Sequence, residues 1–211
     1  NFNARDTSIV LGEKNKILYG AGFIYENIGA YRFKISPNSF FQINSLGMKK
    51  LYTLALSQAD ITNSDIVLDA YCGVGTISIF ASRYAKEVIG VELSKQAIED
   101  ARINARLNQI ENVSFICDDA TNFITHAAKE KAHFDILILD PPRDGSTPQF
   151  IQAIGYLKPR KVIYISCNPI TLKRDLNLFR DLDYKISKIT GYDNFPRTKH
   201  IEVITLLELK K

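Results

Sequence analysis

The chain has 211 residues, 45% hydrophobic and 24% charged, with a formal net charge of +4; this fits one large domain, or a domain with a short appendage, around a well-buried core. No apolar run approaches the roughly 20 residues that span a membrane, no secretory leader precedes the first strand-like segment, and the expectation is a soluble cytoplasmic protein. Cys72, Cys117 and Cys167 lie far apart with no C-x-x-C pair, which argues against a disulfide framework or a metal site in this stretch.

The chain opens with short β-like pieces at Ser8–Leu11, Ile17–Gly20, Phe23–Tyr25 and Tyr31–Ile35, separated by Gly, Asn and Pro. They read as an antiparallel appendage over residues 1–44. Met48 is the only methionine, so Asn1 looks like the start of a fragment cut from a longer protein. A helix is predicted over Ser45–Ala59, with Leu46, Leu51, Leu54 and Leu56 among its apolar residues.

From Asp65 the pattern alternates. Apolar runs at Ile66–Leu68, Val88–Val91, Val113–Ile116, Ile136–Leu139 and Val162–Ile165 are predicted strands. Helical segments separate them near Thr76–Tyr84, Lys95–Asn108, Thr121–Lys129, Thr147–Tyr156 and Ile170–Asp181. Fully apolar strands alternating with helices imply a doubly wound, mostly parallel α/β sheet covered on both faces. Tyr184–Thr190 and Ile201–Leu209, joined by a loop alone, predict an antiparallel hairpin at one sheet edge.

Asp69-Ala70-Tyr71-Cys72-Gly73-Val74-Gly75-Thr76 follows the first strand of this unit and opens a helix. Such a turn lets backbone approach a ligand, with Gly73 at the closest point. Glu92, nineteen residues after Gly73 at the end of the next strand, is placed to accept ribose hydroxyls. Ser78 occupies the third glycine position of the dinucleotide fingerprint, which favours S-adenosylmethionine over a nicotinamide cofactor. Asp119, after the third strand, reads either as a contact near adenine or as a helix N-cap.

Two further segments fall at strand ends, where open parallel sheets bind ligands. Asp140-Pro141-Pro142-Arg143-Asp144-Gly145 holds Asp140 at a strand tip through its paired prolines. Ser166-Cys167-Asn168-Pro169 places Cys167 beside a helix N-terminus, a setting expected to lower its pKa and make a nucleophile. Cys72 and Cys117 read as small buried hydrophobes. Glu202, at the start of an apolar strand, is either an edge charge or a partly desolvated base. Residues 143–211 carry 13 Lys and Arg against 7 Asp and Glu, whereas residues 1–142 carry 14 against 16. The excess, with Lys158, Arg160, Lys161, Lys173, Arg174, Arg197 and Lys199 prominent, suits either a phosphate backbone or solvated helix faces.

Five stretches together resemble the RNA (uracil-5-)-methyltransferase family: Ser36–Asn44, Asp69–Thr76, Asp140–Gly145, Ser166–Thr171 and Phe195–Glu202. The resemblance covers nearly the whole chain. It implies a Rossmann-like S-adenosylmethionine-dependent methyltransferase domain over residues 45–211, with residues 1–44 the remnant of a central domain. It places Gln42, Tyr71, Glu92 and Asp140 at the cofactor, and makes Cys167 the nucleophile and Glu202 the base. The implied substrate is a uridine in RNA, ribosomal RNA favoured over transfer RNA. Arg143 could meet a phosphate or anchor the Asp140 turn. The rival readings are an adenine or cytosine amino-methyltransferase, a cytosine-C5 methyltransferase, a nicotinamide oxidoreductase and a non-catalytic RNA-binding module. Against the first, Arg143 stands where such enzymes usually carry a base-stacking aromatic. Against the second, Cys167 lacks a preceding proline.

Overall fold

A computed structural model describes residues 15–210. Two short strands, β1 (Ile24–Ile28) and β2 (Tyr31–Ile35), pair antiparallel around the Gly29-Ala30 turn as a separate two-stranded sheet. The strand expected at Ile17–Gly20 is irregular chain. Its side chains Ile17, Leu18 and Tyr19 are exposed, so no burial rewards an extended pairing there. Ser8–Leu11 lies outside the described residues.

The helix α1 (Ser45–Ala59) begins at an Asn44 cap whose side chain accepts from the Gly47 N–H. The alternating unit then follows as predicted. It comprises β3 (Ile66–Ala70), α2 (Thr76–Ser82), β4 (Glu87–Glu92), α3 (Lys95–Leu107), β5 (Val113–Cys117) and α4 (Ala120–Lys129). It continues through β6 (Ile136–Leu139), α5 (Pro148–Leu157), β7 (Lys161–Ser166), α6 (Pro169–Asp181), β8 (Tyr184–Tyr192) and β9 (Glu202–Leu209). Seven strands form one sheet in the order β5-β4-β3-β6-β7-β9-β8. The expected hairpin is present at the edge. Its second strand, β9, is inserted between β7 and β8, antiparallel to both, so β8 is the outermost strand.

Alternate side chains of each strand serve opposite faces. Val67, Ile136, Ile138, Ile163, Ile165 and Ile204 pack with α1, α2 and the small sheet through Leu51, Ile77 and Phe33. Leu68, Leu137, Leu139, Val162, Tyr164 and Leu207 pack on the other face against Ile124, Phe150, Ile151 and Phe179 of α4, α5 and α6. With both faces covered, the sheet leaves its strand ends and connecting loops as the place for a site. β9 runs against its neighbour β7, so it begins where β7 ends. Val203 is paired with Ser166, and Glu202 with Tyr192.

Candidate active site

Three strand ends deliver the chemistry. Asp69 is next to last in β3, Asp140 follows β6, and Cys167 follows β7, with Glu202 beside it at the head of β9. The Asp69 side chain is fully buried. Its Oδ2 accepts the Ser78 hydroxyl at 2.5 Å, so the residue at the third glycine position has structural work of its own. Its Oδ1 is buried without a hydrogen-bond partner. Burial, with Glu92 contributing, raises the Asp69 acid to about 7.

Asp140 is raised to about 8, first by burial, then by the Glu202 and Asp69 carboxylates. Burial also raises Glu202, while the Arg143 guanidinium opposes the rise. Tyr52, a buried residue of α1, faces the same group. Its hydroxyl is raised by burial and by Asp140, Asp69 and Glu202, and it is hydrogen-bonded to Thr76. Nothing in the apolar pattern of α1 marks Tyr52 as anything but core.

Cys167 departs from expectation. It is half-buried, and its thiol is raised rather than lowered. Desolvation comes first, followed by Glu202 and Asp140; the Arg143 side chain, hydrogen-bonded to Cys167, pulls the other way without prevailing. The expected helix N-terminus is present: Asn168 caps α6, its side chain accepting from the Ile170 N–H, and Pro169 opens it. Two nearby carboxylates and burial outweigh the favourable helix end.

Arg143 turns out to be an anchor on both its ends. Its carbonyl accepts from Asn168 Nδ2 and Thr171 Oγ1, each at 3.0 Å. Its Nη2 lies 3.0 Å from His200 Nδ1, which ties the β6 turn to the loop that leads into Glu202.

The glycine turn is shaped for close approach. Tyr71, Gly73 and Gly75 all have positive φ, at 67°, 54° and 82°. For Tyr71 this left-handed conformation is strained, and the ring is held by Phe150 at 5.6 Å and by a 3.2 Å hydrogen bond between its Oη and Ser146 Oγ. A Cβ at Gly73 would meet only the Phe40 carbonyl at 3.9 Å, so the turn's surface is open there. Glu92 accepts from the N–H of Gly73 at 3.2 Å and of Ser94 at 2.8 Å. Gln42 sits in the loop between β2 and α1, in the wall of a cavity of about 660 Å³ shared with Ser39, Phe41 and Ile43. Asp119 caps α4 through Oδ1, accepting from Thr121 and Asn122 N–H.

The remaining cysteines divide. Cys72 is buried against Ile98, Ala101 and Phe115, as expected. Cys117 is exposed, its thiol 3.5 Å from the Leu93 carbonyl, at the end of β5, the edge strand opposite β8. No group of His, Cys, Asp and Glu suited to a metal occurs among the described residues, and no helix there is long and apolar enough to cross a membrane.

With Asp69 and Glu202 both near enough to raise buried Asp140, the three carboxyl groups cannot all ionise cheaply. A cationic ligand would relieve them, and the open glycine turn beside an unpartnered Asp69 oxygen suits a nucleoside bearing such a charge.

Known proteins resemble this chain along its length. The family model described as tRNA (Uracil-5-)-methyltransferase matches residues 7–210. An uncharacterized RNA methyltransferase of Lactobacillus johnsonii is 44% identical over 208 residues, covering 99% of this chain and 46% of the relative. One from Oceanobacillus iheyensis is 42% identical over 210 residues, with 100% and 46% covered. The chain thus spans about half the length of these relatives. The Pyrococcus abyssi tRNA (uracil-54, C5)-methyltransferase, solved in complex with S-adenosyl-L-homocysteine, superposes with a TM-score of 0.78 at 31% identity over 97% of this chain and 49% of that one. A tRNA m1G37 methyltransferase of M. jannaschii, at 17% identity and a TM-score of 0.70 over 92% and 58% of the two chains, shares the fold.

Proposed function

The chain belongs to the tRNA (uracil-5-)-methyltransferase family, and from that premise we propose that it methylates C5 of a uridine in RNA through a transient bond between Cys167 and C6. One observation carries the reading: antiparallel insertion of β9 brings Glu202 beside Cys167, with Arg143 acting on both and Asp140 acting on Cys167. The residues also fit the methyl donor. Gly73, Tyr71, Glu92, Gln42 and Asp119 would hold the nucleoside and the loop around it. Asp69 and Asp140 would face its positive end, which the unpartnered Asp69 oxygen and the crowded carboxylates favour.

When bound, S-adenosylmethionine supplies the methyl group that C5 acquires. C5 of uracil is a poor nucleophile until C6 is saturated. Cys167, as thiolate, bonds to C6, and the ring π electrons move toward C5 and the O4 enolate. Its raised pKa makes the thiolate a minority form at neutral pH, so the Arg143 charge and any cation that quiets Asp140 and Glu202 favour the attack. After C5 carries its methyl, Glu202 takes the C5 proton. The C–H electrons restore the C5–C6 double bond, and the C6–S bond breaks to return the thiolate. The base must leave its stack to enter the cleft.

The test is trapping. Glu202→Gln keeps the shape but cannot take the proton, so the chain mixed with RNA and methyl-labelled cofactor should accumulate a labelled protein–RNA adduct stable to denaturing electrophoresis. Cys167→Ala should form none and turn over at least about a thousandfold more slowly than the parent, the scale of losing a nucleophile. Near-normal turnover by Glu202→Gln would remove Glu202 as the base, and C5 methylation by Cys167→Ala would overturn the covalent route. The resemblance read from the residues favours ribosomal RNA, while the family description and the Pyrococcus enzyme name transfer RNA. Both RNAs are therefore arms of the experiment, and the one that traps identifies the substrate.

A further inference from the structure

α3 holds β2 by a device that the chemistry described above does not use. Asp100, Asn104 and Asn108 recur every four residues, on one face of α3 and its C-cap. Asn108 Oδ1 accepts the Arg32 N–H at 2.9 Å and its Nδ2 donates to the Arg32 carbonyl at 2.8 Å. Asn104 repeats the pattern on Lys34, at 2.7 Å and 3.2 Å. Asp100 takes the next place, accepting from the Ser36 N–H at 2.9 Å. The geometry has a simple cause. Four helical residues advance about 6 Å, and two strand residues about 6.7 Å, so successive side chains meet alternate backbone positions. The helix thus supplies carboxamides to β2 as a neighbouring strand would supply peptides.

The members differ as their partners require. Asp100 faces only donors: Ser36 N–H and Oγ, Ser39 Oγ and Lys34 Nζ. An acceptor-only side chain suits it there. Asn108 is at the outer end. Asn104 is fully buried; where Asn108 Nδ2 makes its second bond to the Asn104 carbonyl at 2.7 Å, Asn104 Nδ2 makes its second to the carbonyl of Val74 at 3.0 Å. Val74 lies between Gly73 and Gly75 in the glycine turn. A single carboxamide therefore joins the backbone of that turn to the backbone of the strand that leads through Ser36 and Ser39 to Gln42.

We propose that Asn104 is a positioning residue for the cofactor, fastening the glycine turn to β2 so that the Tyr71–Gly73 side and the Gln42 side of the site are held as one unit. This rests on the cofactor reading given above. Asn108 makes the same kind of strand contact without touching the turn, which separates a positioning role from simple anchoring.

The experiment measures S-adenosylhomocysteine affinity and melting temperature for the parent chain, Asn104→Ala and Asn108→Ala. Both variants should melt lower than the parent. Asn104→Ala should bind at least about tenfold more weakly, and Asn108→Ala should stay within about twofold. Equal affinity in a folded Asn104→Ala protein, or equal weakening in both variants, would overturn the proposal. A second measurement needs no variant. Hydrogen exchange on the parent should show residues 31–36 more protected when S-adenosylhomocysteine is bound, since the turn and the strand share one anchor. Unchanged exchange in that segment, with the glycine turn protected, would equally overturn it. A parent chain that does not bind the nucleoside would instead remove the cofactor reading itself.

Discussion

Asp140 sits where burial and two neighbouring carboxylates make ionisation unfavourable, and its acid form persists to about pH 8. In the unfolded chain an aspartate releases its proton near 3.9. Between those values the folded protein holds a proton that the unfolded chain has lost, so stability falls as pH rises from about 4 to about 8 and levels off above. Asp140→Asn has no proton to lose and should escape that decline. Its melting temperature should exceed the parent's by a margin that grows across this window, about 2–4 °C for each kcal/mol recovered in a chain of this size. Melting curves taken from pH 5 to pH 9 check this, and a constant or shrinking margin would contradict the buried-acid assignment. The same side-chain environment explains Cys167. A helix end alone argues for a low pKa; burial first, and then the Glu202 and Asp140 carboxylates, reverse the direction.

At the scale of elements, α6 holds the site's turn as firmly as α3 holds β2. Asn168 and Thr171 grip the Arg143 carbonyl, and Arg174 Nη2 donates to the carbonyls of Asp144 and Ser146. Asp175, fully buried, accepts from the Ser146 N–H at 2.8 Å and from the Tyr164 hydroxyl at 2.6 Å. Ser146 in turn meets Tyr71, so the helix that begins beside Cys167 also braces the glycine turn. Tyr164→Phe removes one charge-assisted hydrogen bond and leaves Asp175 its other partners. It should cost about 1.5–3 kcal/mol in urea unfolding; an unchanged midpoint would show that the bond contributes nothing net. These polar stripes are hard to see in sequence. Asp100, Asn104 and Asp175 occupy helical positions that read as solvated, and what buries them is β2 in one case and the β6 turn in the other.

Across the whole molecule, the basic excess of the last third divides into two uses. Arg160, Lys161 and Arg174 are engaged within the fold, with Asp65, Asp60 and Asp175. Lys158, Lys173, Arg197 and Lys199 are exposed, and Arg197 and Lys199 lie on the loop that enters Glu202. RNA affinity should therefore be steeply salt-dependent, falling about tenfold or more between roughly 50 and 200 mM salt. Lys199→Ala should reduce the salt slope by about one. Filter binding across a salt series measures both; a flat series would remove the electrostatic role of these residues.

Much of this protein is local in origin. The alternation of apolar strands with helices, the helix start after Cys167, the glycine turn and the Asp-Pro-Pro-Arg turn are set by short-range sterics and periodicity, and they are legible in the chain alone. So is the placing of Asp69, Asp140 and Cys167 at strand ends, because each follows its own apolar run. The sequence also misleads where burial is absent or comes from elsewhere: Ile17–Gly20 has strand-like residues that are exposed among the described residues, and Cys117 ends an edge strand. What only the tertiary structure decides is adjacency. The position of β9 between β7 and β8 depends on long-range pairing, and it alone turns Glu202 from a charge at a strand start into the neighbour of Cys167. The direction of the Cys167 and Asp140 shifts depends on burial and on carboxylates tens of residues away, and the joining of Val74 to Lys34 through Asn104 depends on how a helix lies against a strand.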